Sequence, residues 1–217
     1  MGNIMHFNQR RFKLIRDMIV ILIAIMSFSI SITLNFVPLY QWFVKHYHLA
    51  NLIHISSNEL MLNYRNLLDY LNYLGVSHWH RTIPASTNAL VHFHDVKMIV
   101  QFNYLISLIF IPFAGYLIYK RIKSSTLWEF TIPLKVLGQL LFICLFLLFI
   151  FFNKFFIIFH KVLFRNQDWI FNPYTDPIIL ALPPDFFEAC FIFCGLLIMF
   201  GGIIMFYLGK RELHHSN

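Results

Sequence analysis

Four long apolar stretches constrain the fold of this 217-residue chain more than any other feature. They cover residues 18–39, 98–119, 133–152 and 186–208. Each matches or exceeds the ~20 residues that a helix needs to cross the hydrocarbon core of a bilayer. In lipid the backbone has to satisfy its own hydrogen bonds, which a helix does by itself. The sequence therefore predicts an all-α integral membrane protein with four transmembrane helices, forming a single domain over residues 1–217.

The composition agrees with a protein that is surrounded by lipid. Hydrophobic residues make up 59% of the chain and charged residues 12%, against ~25% charged residues in a typical soluble domain. The 26 phenylalanines give an apolar surface that is bulky and aromatic. The three cysteines all fall inside the predicted spans, where free cysteine behaves as a small hydrophobic residue.

The basic residues indicate how the predicted spans are oriented. Ten of the 17 Lys and Arg residues, with only three acids, lie before span one, between spans two and three, and after span four. The other face carries seven bases and seven acids. Because Lys and Arg concentrate on the cytoplasmic side of membrane proteins, we expect both termini in the cytoplasm and two extracytoplasmic loops, residues 40–97 and 153–185. Anionic lipid beside the basic face accounts for the pI of about 9.4, so no nucleic-acid partner is required.

The first predicted outer loop contains an amphipathic pattern. Ser56 followed by Glu59 is a capping-box signature that marks the start of a helix. The apolar residues that follow recur at helical spacing: Leu60, Tyr64, Leu67, Leu68, Leu71 and Leu74. This pattern predicts an amphipathic helix over residues 59–74 that lies on the outer leaflet or caps the bundle.

Histidines stand at the outer edges of spans two and three. Titratable side chains at the rim of a membrane span are costly to keep and indicate a functional site. If the helix of span two begins near Ser86, His92 and Asp95 share one of its faces and His94 points away. Asp95 could then orient the His92 imidazole, or the pair could merely seal a helix N-terminus. His160 lies just beyond span three, at a depth similar to that of His92.

Taken together, these segments resemble a known family. His-Phe-x-Asp-Val-Lys (residues 92–97) precedes span two, and Phe-His-x-x-x-Phe-x-Asn-x-x-Trp-x-Phe (residues 159–171) follows span three. With Asp-Pro, Leu-Pro and Phe-Phe before span four, the order is similar to that of the lipoprotein intramolecular transacylases (Lit) of Gram-positive bacteria. The resemblance covers essentially the whole chain, although Asn172 stands where the family is expected to have aspartate.

The resemblance implies a membrane-embedded acyltransferase. Such an enzyme moves an O-linked acyl chain of a diacylglyceryl-cysteine lipoprotein onto the α-amine of the same cysteine, giving a lyso-form N-acyl lipoprotein. Its paired catalytic histidines correspond to His92 and His160. Supporting or substrate-binding positions correspond to Asp95, Lys97, Asn166, Trp169 and Asp176. The expected partners are diacylglyceryl-modified lipoproteins and membrane lipid, and no cofactor or metal is implied.

The chemistry is compatible with that assignment. Transfer from an ester to an amine is downhill, and the substrate supplies its own nucleophile, so the enzyme has to position groups and move a proton. Histidine, with an ordinary pKa of ~6.5, suits proton transfer near neutral pH. Two alternatives stay open from the sequence. One is a metal-dependent hydrolase of membrane lipid or lipoprotein, since His92, His94, Asp95, His160 and Asp176 offer zinc ligands; the other is a non-enzymatic membrane accessory protein.

Overall fold

The computed structural model describes residues 2–215, and the side chains of residues 8–213. All regular structure in this range is helical. The elements are α1 (Gly2–Asn35), α2 (Val37–His46), α3 (Leu49–Leu52), α4 (Ser57–Asn72), α5 (Thr87–Lys123), a 3₁₀ turn (Leu127–Phe130), α6 (Thr131–Leu163), α7 (Ile178–Ala181) and α8 (Pro184–His215).

Four helical segments are long and apolar enough to cross a membrane, which confirms the predicted fold class. They are Asn8–Asn35, Thr87–Lys123, Leu127–Leu163 and Pro184–Leu213. All four extend beyond the apolar stretches at one or both ends. α5 begins 11 residues before Met98, because Ser86 caps it: the Ser86 hydroxyl accepts the Ala89 N–H at 3.2 Å. The first turns of α5 therefore carry His92, Asp95 and Lys97.

The helix of the first predicted span ends before residue 39. α1 ends at Asn35, and Phe36 leaves the helical conformation with φ −81° and ψ 71°. Pro38 explains the break, because its ring would clash with the carbonyl of Leu34 in a continuous helix and it has no N–H to donate. In α2, which begins at Val37, Pro38 lies in the first turn, where a missing N–H is tolerated.

Contacts divide the chain into two compact units. The first unit contains the segments up to Ser31, Tyr104–Phe146 and from Phe193 onward. Its core packs α1, α5, α6 and α8 side chains around Ile21, Leu117 and Phe130. Beside this core, Arg121 is 7% exposed and lies over the Phe130 ring at 4.5 Å.

An ion-pair network occupies the same unit. The Arg121 guanidinium donates to Asp17 at 3.0 Å and to Glu129 at 3.0 Å. Arg16 also donates to Asp17, and Arg10 to Glu129. Each buried carboxylate is thus paired with two arginines, which offsets the cost of burying its charge.

The second unit contains residues 32–103 and 147–192. The predicted amphipathic helix is confirmed as α4, and its Ser56 cap accepts the Glu59 N–H at 3.1 Å. The apolar stripe of α4 is buried in protein: Leu60 is fully buried, and Tyr64 stacks on Tyr40 with ring centroids 3.8 Å apart. Tyr40 in turn donates its hydroxyl to the Ala181 carbonyl at 2.9 Å, which ties α2 to α7.

Candidate functional site

All seven residues singled out from the sequence lie in the second unit.

Asp176 fixes the start of α5, the helix that carries three of them. Its carboxylate accepts the Ser86 N–H at 2.6 Å and the Thr175 hydroxyl at 2.7 Å, and the residue is 3% exposed. Burial alone would raise the pKa of Asp176, but these hydrogen bonds hold it below its ordinary value. Asp176 therefore stays ionised as a cap that joins the second loop to the N-terminus of α5.

The two predicted histidines face each other. His92 is 7% exposed and His160 is 9% exposed. Their ring centroids are 5.8 Å apart, with an angle of 33° between the ring planes. Because α5 supplies one ring and α6 the other, the fold brings together two residues that are 68 positions apart in the sequence.

The position of the His160 ring is set by its own helix. Its Nδ1 lies 2.8 Å from the carbonyl oxygen of Phe156, one turn earlier in α6. A carbonyl can only accept a hydrogen bond, so Nδ1 carries the proton. In the neutral ring Nε2 then holds the free lone pair, which is the arrangement of a general base.

His92 has a different environment. Its Nδ1 is buried and has no hydrogen-bond partner among the described residues. Aromatic rings surround it: Phe164 at 4.7 Å, Phe171 at 5.5 Å and Phe93 at 5.8 Å between centroids. A buried polar atom without a partner costs free energy, and in folded proteins such an atom goes with local strain, a bound water or ion, or a catalytic role.

No hydrogen bond joins Asp95 to His92 among the described residues. The Asp95 carboxylate instead accepts from the Asn166 amide at 3.0 Å. The main-chain carbonyl of Asn166 accepts the indole N–H of Trp169 at 3.2 Å. The centroid of the Trp169 ring lies 4.9 Å from that of the His160 ring. Asp95 is therefore connected, through Asn166 and Trp169, to the side of the site that holds His160. Loop two provides a donor that the sequence spacing alone did not reveal.

His94 behaves as the helical phase predicted. Its side chain is 63% exposed and points away from the pair, with its Nδ1 3.9 Å from the Asp95 carboxylate. The preceding residue, Phe93, is buried, but successive side chains of a helix point in different directions, so His94 lies at the surface.

Lys97 is built into the scaffold of the site. It is 7% exposed, and its ammonium donates to the carbonyls of Tyr73 at 3.0 Å and Val76 at 2.5 Å. It also lies 4.4 Å from the centre of the Tyr70 ring, a favourable cation–π distance. These contacts tie the C-terminal end of α4 to the helix that carries His92.

Some contributing residues carried no signal in the sequence. Phe164 and Phe171 form walls around His92, but they could not be distinguished among 26 phenylalanines. The carbonyl of Phe156 is invisible to any reasoning about side chains. Asn172, where aspartate was expected, accepts the Tyr174 N–H at 3.0 Å, a turn contact that needs an acceptor and no charge.

The zinc ligand set considered from the sequence is not assembled. Over the described residues, no three His, Cys, Asp or Glu side chains converge as a group that could hold a metal ion. The fold and the site thus define a class: an integral membrane protein with four apolar helices and a buried pair of imidazoles suited to acid–base chemistry.

Comparison with known families gives the identity within that class. A model of the family described as lipoprotein intramolecular transacylase Lit matches residues 15–187. The chain therefore belongs to the lipoprotein intramolecular transacylases and is a membrane-embedded acyltransferase. This confirms the resemblance and sets aside the hydrolase and accessory-protein alternatives.

Solved structures agree. The membrane-integral lipoprotein intramolecular transacylase Lit from Bacillus cereus is 26% identical, with a TM-score of 0.86 over 96% of this chain and 98% of that one. Two histidine variants of the same Bacillus cereus protein, one with arginine and one with alanine, are each 24% identical. The arginine variant has a TM-score of 0.82 over 100% of this chain and 98% of that one. The alanine variant has a TM-score of 0.80 over 100% and 99%, and both share the fold. Among curated proteins, none matches the chain.

Proposed function

We propose that His92 and His160 are the catalytic pair that moves an O-linked acyl chain of a diacylglyceryl-cysteine lipoprotein onto the α-amine of the same cysteine. The observation that carries the proposal is the pair itself. Two buried imidazoles face each other at 5.8 Å, and the Nδ1 of one lacks a partner among the described residues. Such a pair can bind and exchange protons with a substrate placed beside both rings.

The hydrogen bonds support a different role for each ring. The Nδ1–H of His160 donates to the Phe156 carbonyl. Its Nε2 therefore holds the lone pair that accepts the proton of the attacking amine. His92 has a free buried Nδ1 that, when protonated, donates to the oxyanion or to the departing glycerol oxygen. One C–N bond forms and one C–O ester bond breaks. The proton that His160 takes from the amine passes to His92, 5.8 Å away between ring centroids, and replaces the proton that His92 gives to the glycerol oxygen, so both rings return to their starting states. Positioning of amine and ester by the site supplies much of the remaining acceleration.

The other five residues act through this pair. Asp95, Asn166 and Trp169 form a chain of hydrogen bonds that ends at the indole ring beside His160. Lys97 and Asp176 fix the helix that carries His92 to α4 and to loop two. They are positioning residues in this proposal.

The proposed topology places the site at the extracytoplasmic end of the bundle and both termini in the cytoplasm, within a single transmembrane domain in the cell membrane. It is supported by the excess of seven positive charges on the face with the termini. Labelling with a membrane-impermeant thiol reagent tests it. Ser77→Cys in loop one should react in intact cells, and Ser124→Cys, between spans two and three, should react only after lysis. The opposite pattern contradicts the topology.

The decisive test of the reaction follows the product by mass spectrometry. A diacylglyceryl lipopeptide incubated with the protein in lipid should lose one O-linked chain and gain one N-linked chain. His92→Ala and His160→Ala should slow this conversion strongly, and His94→Ala, which alters an exposed side chain on the same helix as His92, should retain it. Release of free fatty acid in place of an N-acyl product would contradict the proposed direct transfer to the amine.

A further inference from the structure

A row of phenylalanine rings leads away from His160 along α6 and is joined by rings of α8. The Phe156 ring lies 4.2 Å from that of His160 and 5.5 Å from that of Phe187. The rings of Phe155 and Phe159 each lie 5.0 Å from that of Phe191. We name this set the phenylalanine ladder: Phe152, Phe155, Phe156, Phe159, Phe187 and Phe191.

The ladder runs in one direction and has a defined end. Its α6 members recur at intervals of three and four residues, so they share one face of the helix. From Phe152 to His160 the helix rises by about 12 Å. Phe152 is 4% exposed, and the adjacent Phe151 interrupts the helix with φ −115° and ψ 24°. The ladder thus starts at the candidate base and ends at a kink inside the apolar span.

The rings of the ladder differ from other phenylalanines of the same helix. Five of the six are partly exposed or half-buried, so each packs on its neighbours and still presents an apolar surface. Phe149, by contrast, is 62% exposed, as expected of a side chain that simply faces lipid. The ladder is thus a surface of mutually packed rings that begins beside His160.

We propose that the ladder binds the acyl chain that is transferred and sets the length of chain that the enzyme prefers. This inference rests on the proposed function. The ester carbonyl carbon has to lie beside His160 when the amine attacks it, so the tail attached to that carbon starts where the ladder starts. A hydrocarbon tail gains dispersion contacts from each ring that it passes. A polypeptide segment would leave its backbone groups unsatisfied on such a surface.

The experiment measures discrimination between two chains. Two lipopeptides carry the same retained acyl chain and differ in the donated chain. A decanoyl chain spans about the 12 Å of the ladder, whereas a butanoyl chain ends close to His160. Both compete in one tube, and the ratio of N-acyl products is read by mass spectrometry. Phe155→Ala and Phe191→Ala should shift this ratio toward the shorter chain by about fivefold or more, since contacts of a single methylene in an apolar pocket are worth roughly 10–200-fold in discrimination. Phe149→Ala is the matched control and should leave the ratio unchanged.

The outcomes separate the possible roles of the rings. If the ladder variants slow both substrates equally and leave the ratio unchanged, the rings serve only packing and the proposal is wrong. If the ratio responds instead to the length of the retained chain, the ladder holds that chain and the proposal is also wrong. Phe155→Leu and Phe191→Leu give the same readout with milder changes should an alanine variant fail to accumulate. A wild-type protein that makes no N-acyl product at all would overturn the proposed function, which is a different result.

Discussion

Both units of the molecule bury polar side chains, but the two buried side-chain atoms without a hydrogen-bond partner among the described residues, Thr33 Oγ1 and His92 Nδ1, lie in the second unit. In the first unit every guanidinium nitrogen of Arg121 has an oxygen partner on Asp17, Glu129 or Thr126. In the second unit the buried Nδ1 of His92 has no partner among the described residues, and His160 uses its Nδ1 for the hydrogen bond to Phe156. A network in which every donor and acceptor is paired stabilises a fold. A buried group without a hydrogen-bond partner costs stability and is available to bind a substrate. If the proposed function holds, the contrast separates polar groups that stabilise the fold from polar groups that take part in catalysis.

The largest expected effect tests the open side of this contrast. His92→Ala, His160→Ala and the double variant should each lower the rate of acyl transfer by ~10²–10⁴-fold. The three losses should be similar, because residues that act as one unit are non-additive. Rates are measured by lipopeptide mass spectrometry at equal amounts of folded protein. Losses that multiply in the double variant would mean that the two rings act independently.

The saturated side should respond in stability and not in chemistry. Arg121→Met leaves Asp17 and Glu129 buried with less compensation, so the free energy of unfolding should fall by about 3–5 kcal/mol. Arg10→Gln, which alters an arginine with a 65% exposed side chain in the same network, should cost about 1 kcal/mol or less. Thermal unfolding in detergent measures both. Arg121→Met that is as stable as the wild type would show that the network is dispensable.

A smaller effect is expected where hydrogen bonding supports the site. Asn166→Ala removes both the donor to Asp95 and the side-chain acceptor for the Asp168 N–H. A hydrogen bond to a charged group is worth ~1.5–3 kcal/mol, so the rate should fall by roughly tenfold or more, and Asp95→Asn should cost less than removing His92. A kcat that falls while KM stays constant indicates a positioning role. Equal activity of Asn166→Ala and wild type would disconnect this chain from catalysis.

The smallest expected effect is a pH dependence of stability. The hydrogen bonds to Asp176 lower its pKa in the folded state. The ionised carboxylate therefore contributes fully to the free energy of unfolding above the ordinary aspartate pKa of ~3.9, and this contribution is lost as the pH falls through the pKa of the folded state. The wild-type melting temperature should therefore decline below about pH 4 more steeply than that of Asp176→Asn. The two proteins should show parallel, flat profiles between about pH 6 and 8. Parallel profiles at low pH as well would mean that Asp176 is not a stabilising cap.

Local patterns were predictable from the sequence because short-range physics fixes them. The apolar stretches gave the spanning helices, Ser56 gave the start of α4, and the helical phase placed His94 on the surface. The family resemblance supplied the pairing of His92 with His160, which the structure brings within 5.8 Å.

Contacts between distant segments were not predictable in the same way. Arg121 and Asp17 were visible only as charges near span ends, although 104 residues separate the partners. Asp95 was assigned to His92 because they share a helix face, and the competing donor Asn166 is 71 residues away. Whether Asp95 pairs with His92 or with Asn166 depends on how the loops pack, and neither the periodicity nor the spacing of the sequence contains that information.

The hydrogen bond between His160 and the Phe156 carbonyl has a consequence for how this enzyme can change. The acceptor belongs to the main chain, so no replacement of the side chain at position 156 removes it. A conventional alanine scan is blind to the feature that decides which nitrogen of His160 is basic. Only an edit of the peptide link itself, such as an amide-to-ester exchange, or a bend in the helix would alter it. The tautomer is thus inherited from the shape of α6, and it would survive extensive drift in the surrounding amino acids.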